Sequence, residues 1–172
     1  MTVPAVVLAA GRSSRMGRTK ALLHIGSSGQ TFVTRIVDVL RAGGAAPIVV
    51  VVGTDADAVI ATLPTNDPAV HVVRNPRVDD GQLSSLLVGL DVVERECPTA
   101  PGTLMTLVDL PLIAADTVRA VIAAVRESPS SPLVRPTRGP RFGHPVFFGR
   151  ALFAEFRALI GEASGLGAAS AC

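Results

Sequence analysis

Four short runs of apolar, largely β-branched residues limit this chain to few folds. Ala5–Ala9, Ile48–Val52, Val70–Arg74 and Thr103–Val108 show little of the strict polar alternation that marks a half-exposed strand. Runs of this kind suit strands buried on both faces of a parallel sheet. Helical periodicities fill the gaps between them. Phe32, Ile36, Val39 and Leu40 recur at helical spacing before a Gly43-Gly44 stop. Val59, Ile60 and Leu63 mark a short helix ended by Pro64. Leu83, Leu86, Leu87, Leu90 and Val93 mark a longer one. Val118, Val121, Ile122 and Val125 mark another, with a cap expected at Asp116 or Thr117. Strands alternating with helices imply βαβ units and an open α/β sheet.

After Pro132 the texture changes. Leu133–Pro136 and Pro145–Phe148 read as two short strands around a Gly/Pro/Arg loop, a small hairpin expected on the sheet edge because Pro145 favours an edge. A last helix is expected over Ala151–Ile160. The small, polar tail Gly161–Cys172 has no periodicity and is expected to be frayed. With 172 residues, no repeat and no linker, one domain over residues 1–160 plus a tail over 161–172 is expected.

Composition excludes several function classes. Trp and Tyr are absent and aromatics make up only 3%. Single-stranded nucleic-acid binders need stacking platforms, so that role is disfavoured. Net charge is +2, and the basic residues cluster. Arg12, Arg15, Arg18 and Lys20 crowd one stretch; Arg135, Arg138 and Arg141 form a second group. Local charge of this kind suits a small anionic ligand better than a duplex. For the second group, a solvated charge run is an equal reading. Cys97 and Cys172 have no metal spacing and read as free thiols. Val3–Ala10 is too short to span a bilayer and lacks a positive flank, so neither nucleic acid nor membrane is an expected partner and a cytoplasmic location is expected.

The richest segment runs from Leu8 to Lys20, directly after the first strand. Ligands of open α/β sheets bind beyond the carboxyl ends of strands. Gly11 and Gly17 permit close backbone approach, and free N–H groups in such a turn form an anion-binding concavity. Arg15 and Lys20 add positive charge suited to phosphate oxygens. Neither the P-loop G-x-x-x-x-G-K-[ST] nor the dinucleotide G-x-G-x-x-G pattern is present here. On these residues alone, an anion site and a solvated polar loop are about equally favoured.

Three further segments carry chemistry. Asp109, in Leu107-Val108-Asp109-Leu110-Pro111, sits at the carboxyl end of a buried strand. Magnesium prefers one or two protein carboxylates with phosphates and waters, but spacing alone favours a turn-capping aspartate. Asn75 to Leu86 joins a strand to a helix, and locally an ordinary N-cap is the safer reading. Gly143-His144-Pro145-Val146 follows the second arginine group, and His144 alone reads as a turn histidine. His24 and His71 read as structural.

Leu8, Ala10, Gly11, Ser13, Arg15, Met16, Gly17 and Lys20 match the pattern L-x-A-G-x-S-x-R-M-G-x-x-K, which resembles the signature of the MobA-like NTP transferases. Asp109 and Pro111 resemble that family's D-x-P motif. Asn75, Gly81, Ser84, Ser85 and Leu86, with the G-H-P-V run at Gly143–Val146, resemble the molybdenum cofactor cytidylyltransferase branch. The resemblance covers Val3 to Ile160.

It implies a single Rossmann-like nucleotidyltransferase domain: three layers, α/β/α, with a mostly parallel sheet and a small edge hairpin. It implies a loop that wraps a triphosphate, with nucleotide contacts from Leu8, Ala10, Gly11, Ser13, Arg15, Lys20, Asn75, Gly81 and Ser85. Arg15, Lys20 and Asp109 are the catalytic residues implied, Asp109 holding Mg²⁺. His144 and Arg141 are implied at the acceptor. The activity implied is transfer of NMP from an NTP, CTP by branch, to a phosphorylated acceptor, the molybdopterin form of the molybdenum cofactor, with release of pyrophosphate. A molybdoenzyme or its chaperone is the implied protein partner. Two alternatives stand beside it: guanylyl or other nucleotidyl transfer to a different acceptor, and a catalytically inactive nucleotide-binding chaperone or regulator. The last is motivated by Gly161–Cys172, which shows no D-x-D-T-P-x-D-like segment for a second metal carboxylate.

Overall fold

A computed structural model of the protein describes residues 1–11, 19–27, 29–64 and 66–159. Its backbone is a six-stranded sheet with helices on both faces. Strands β1 (Ala5–Ala9), β2 (Ile48–Val52), β3 (Val70–Arg74) and β4 (Gly102–Leu107) pair in parallel, while β5 (Leu133–Val134) and β8 (Val146–Gly149) join beyond β4 in the order β3-β2-β1-β4-β8-β5. A separate two-stranded hairpin joins β6 (Thr137–Arg138) to β7 (Arg141–Phe142). The helices are α1 (Phe32–Ala42), α2 (Ala56–Ile60), α3 (Gln82–Glu96), α4 (Ala115–Glu127) and α5 (152–159).

The apolar runs fold as they do because both faces of β1 and β2 are covered. Val7, Val50 and Leu104 point into one core with Val33, Ile36 and Leu40 of α1 and Val118, Val121 and Ile122 of α4. Val6, Val49 and Val51 point to the opposite side, against Leu86, Leu90 and Val93 of α3 and Phe153 of α5. Each fully buried Val or Leu side chain contributes about 1.5–3 kcal/mol of hydrophobic stabilisation. Close seating of α3 depends on Gly89, where a Cβ would lie 2.5 Å from Val6 Cγ1. Thr31 begins α1, its Oγ1 accepting from the Thr34 N–H at 3.3 Å.

Three local expectations are corrected. β5 and β8 do pair antiparallel at one edge of the sheet, but the strand after Pro145 is the inner of the two: β8 lies between β4 and β5, its Val146 opposite Met105, so β5 is the edge strand on that side and β3 on the other. Pro145 escapes the ladder by standing one residue before β8, where its missing N–H breaks no pairing. Helix α4 starts after an N-cap at Ala114, and no side chain caps it. Asp116 instead sits in the first turn, paired with Arg119, where its charge also suits the helix dipole. β4 begins and ends one residue earlier than the apolar run suggests.

The topology sets the place for a ligand. From β1 the chain adds β2 and β3 on one side, then crosses to add β4 on the other. β1 leads on to β2 on one side and β4 to strands on the other, and in such sheets ligands bind in the crevice at the carboxyl ends of the two strands where the order reverses. Among the described residues, no helix is long and apolar enough to cross a membrane.

Candidate functional site

A cleft of about 340 Å³ occupies that crevice. Leu8, Ala10 and Leu107 form its strand-end floor, Gly11 and Lys20 the β1 side, and Val108 and Asp109 the β4 side. Val78, Gly81, Gln82 and Ser85 close it from the start of α3. Seven residues singled out by the motifs thus meet here: Leu8, Ala10, Gly11, Lys20, Gly81, Ser85 and Asp109. They come from three segments far apart in sequence, joined by parallel pairing of β1 to β4 and by α3 packing on β1 and β2.

Lys20 Nζ donates to Asp109 Oδ2 at 3.0 Å across the cleft mouth. Both side chains are about two-fifths exposed, at 43% and 39%, so the pair itself stabilises the fold by about 0–1 kcal/mol. A pair so placed presents a cation and a carboxylate to whatever enters. Among the described residues Asp109 caps no turn: its partner is Lys20, and its second oxygen carries no protein hydrogen bond. The described residues hold no group of three His, Cys, Asp or Glu arranged for a metal. A divalent ion here would take one protein carboxylate and fill its sphere with phosphate oxygens and water. That donor set fits magnesium's preference.

The wall at α3 is held by Asn75. This residue is only 4% exposed. Its Nδ2 donates to Ser84 Oγ and to Ser85 Oγ, both at 2.9 Å, and its Oδ1 accepts from the Arg77 N–H at 2.8 Å. Ser84 Oγ in turn donates toward the carbonyls of Arg77 and Gly81 at 2.8 and 2.9 Å. Every polar atom of the Asn75 amide is therefore spent inside the protein, and Asn75 shapes the cleft without lining it. Ser85 only accepts in this network, so its O–H remains a donor available at the cleft wall. Gly81, at φ 87° and ψ −173°, takes a conformation restricted to glycine and starts α3 without a side-chain cap. The first N–H groups of a helix have no intrahelical partner and favour an anion.

Ser13 and Arg15 are outside the described residues. His144 and Arg141 do not line the cleft. They do share its end of the sheet: both lie just before β8, whose first residue, Val146, pairs with Met105 toward the carboxyl end of β4. His144 Nδ1 is buried and has no hydrogen-bond partner among the described residues. His24 Nδ1 meets the Gly29 carbonyl at 3.0 Å, in keeping with a structural role. Sequence reasoning missed Val78, Gln82, Leu107 and Val108. Adjacency to Gly81 and Asp109 was the signal for these lining residues.

Residues 5–170 match the MobA-like NTP transferase domain model. A probable molybdenum cofactor guanylyltransferase from Rhodopirellula baltica is 34% identical over 82% of this chain and 64% of its own length. Nicotine blue oxidoreductase from Paenarthrobacter nicotinovorans is 33% identical over 84% of this chain and 69% of its own. Among solved structures, Rv0371c from Mycobacterium tuberculosis H37Rv shares 32% identity at TM-score 0.74, covering 91% of this chain and 76% of that one. The same protein has also been solved in complex with manganese. The chain thus spans just under two thirds of the guanylyltransferase relative.

Proposed function

The chain belongs to the MobA-like NTP transferase family, and from that premise we propose that it transfers a nucleoside monophosphate from an NTP to a phosphorylated small molecule, releasing pyrophosphate. The observation that carries the reading is the cleft itself. Lys20, Asp109, Gly11 and the open start of α3 converge on one crevice, around an apolar floor. That is what a triphosphate with a divalent metal requires: positive charge, free N–H donors, one carboxylate and little water.

The reaction needs no general base to deprotonate its nucleophile. A phosphate monoester has its second pKa at about 6 and is a dianion at neutral pH. One of its oxygens bonds to the α-phosphorus as the bond to the β-phosphate oxygen breaks, and pyrophosphate carries the electron pair away. The protein's work is alignment and charge stabilisation. Lys20 leaves Asp109 and follows the charge gathering on the leaving group. Gly11 lets the backbone approach the phosphates. Ser85 donates its O–H to the bound nucleotide, and Asn75 holds it there. Arg15, by its motif position, adds a second cation. His144 and Arg141 sit with the acceptor. Mg²⁺ is the proposed metal; Asp109 would hold it, and it would supply neutralisation of the triphosphate charge.

Two donors have support. The Asn75–Leu86 and Gly143–Val146 motifs point to CTP, while the name of the Rhodopirellula relative points to GTP. That name also makes molybdopterin the first acceptor to try. A second reading, oxidoreduction, rests on the similarity to nicotine blue oxidoreductase. A thermal-shift panel of CTP, GTP, ATP, UTP, NADH and NADPH, each with Mg²⁺, Mn²⁺ or chelator, separates these. A ligand bound only by the native state adds about 2.7 kcal/mol at a hundred times its dissociation constant. A metal-dependent shift with one NTP supports transfer and fixes the base. A shift with a reduced nicotinamide alone overturns the transferase reading.

A further inference from the structure

Most described arginines outside the cleft close on a carboxylate: Arg41, Arg74, Arg119 and Arg157 pair with Asp67, Asp57, Asp116 and Asp91. Three on the hairpin do not. Arg135, Arg138 and Arg141 make no ion pair among the described residues, although they fall within seven positions of the chain. Two of them are forced together. Arg138 lies directly opposite Arg141 in the β6–β7 register, across a two-residue turn opened by Gly139 at φ 58°. Opposite residues of a hairpin share a face, with Cβ atoms about 4.5–5.5 Å apart, and like charges there destabilise the pairing. A ribbon of two residues per strand has little stability to spare.

The hairpin is nevertheless anchored. Arg135 stacks its guanidinium 3.3 Å from the ring centroid of Phe142, on the face opposite the arginine pair, and the Gly143 N–H donates to the Pro136 carbonyl at 2.9 Å. Its place is also fixed. It leaves β5 after Val134 and re-enters β8 at Val146, both at the carboxyl end of the parallel strands, the end that carries the cleft.

We propose that Arg138 and Arg141 jointly bind an anionic group of the acceptor, distinct from the phosphate that attacks. Two planar guanidiniums on one face match the oxygens of a phosphate or carboxylate, and the anion removes the repulsion between them. The acceptor class that follows is a small molecule with at least two anionic groups set apart. The acceptor's identity rests on the transferase reading; anion binding by the hairpin does not.

The test is a titration of the whole chain with inorganic phosphate, read at the arginine Nε–Hε signals by NMR, with chloride at equal ionic strength as control. Signals of Arg138 and Arg141 are expected to move together and saturate with one dissociation constant. Arg138→Gln, an exposed change, is expected to weaken that constant on the order of tenfold at Arg141, while metal-dependent NTP stabilisation stays at the wild-type value. Shifts at Arg138 and Arg141 that are linear, match those of Arg126 and repeat with chloride overturn the proposal. If the hairpin binds phosphate but no NTP stabilises the chain, the transferase reading falls and the anion site stands. If NTP binds and the hairpin ignores phosphate, the reverse holds.

Discussion

Replacing Asn75 by Ala removes a side chain that is 4% exposed and makes three hydrogen bonds. Each contributes about 1 kcal/mol net. The Arg77 N–H loses its acceptor and Ser85 Oγ loses its donor. Ser84 keeps its carbonyl partners, so the segment loosens and does not detach. The expected loss is about 3 kcal/mol, which lowers Tm by about 6–12 °C in a domain of this size. Urea unfolding followed by far-UV circular dichroism measures it as a lower midpoint at constant m. Asn66→Ala is the control, since Asn66 is exposed; it should change stability by less than about 0.5 kcal/mol. Because Asn75 places Ser85 and Gly81, NTP affinity should fall under conditions where the variant is still folded. A loss below about 1 kcal/mol, with unchanged NTP affinity, would refute the claim that Asn75 builds the cleft wall.

Other outcomes follow from single observations. Lys20→Ala should cut turnover on the order of a hundredfold and Asp109→Ala should abolish metal-dependent transfer, yet each should alter stability by at most about 1 kcal/mol because the pair is two-fifths exposed; pyrophosphate release and urea midpoints test both halves. Gly81→Ala meets no atom within 4 Å, so its cost comes from the backbone alone, about 1–3 kcal/mol, read as a lower urea midpoint. Burial pushes the Cys97 thiol above its ordinary value, reinforced by Glu96 and opposed by Arg150. The thiolate fraction at pH 8 is therefore depressed, and iodoacetamide should label Cys97 more slowly than glutathione, as followed by peptide mass spectrometry. Equal rates would contradict that.

The sequence was most legible where burial is two-sided. Ala5–Ala9 and Ile48–Val52 are such strands over the span their apolar runs cover, because turn formers or charge bound each run; Val70–Arg74 keeps its bounds too, but as an edge strand it is half-buried and not covered on both faces as the run suggested. The position of β8 was not legible, because its partner Met105 lies forty residues away and Pro145 argues locally for an edge. The start of α4 was missed because no side chain caps it; Ala114 gives no signal. At the cleft, Gly11, Lys20, Gly81, Ser85 and Asp109 were singled out by the resemblance of their motifs to the family; on residue types alone a solvated loop, an N-cap and a turn-capping aspartate were equal or safer readings. What the motifs hid was division of labour. A buried asparagine and a ligand-facing one look alike until Ser84 and Ser85 fold back onto the strand end. Gln82, Val78 and Val108 line the cleft because they lie near Gly81 and Asp109 in the chain, not because they hold motif positions.

The central claim is that the crevice between β1 and β4 holds a nucleoside triphosphate with a divalent metal at Asp109. Paramagnetic broadening of backbone amides by Mn²⁺, recorded with and without NTP, locates the ion directly. The account predicts NTP-dependent broadening centred on Gly11, Lys20 and Asp109, reaching Gly81 and Ser85, and lost in Asp109→Ala. Broadening centred away from these residues, or unchanged by NTP and by Asp109→Ala, would contradict it.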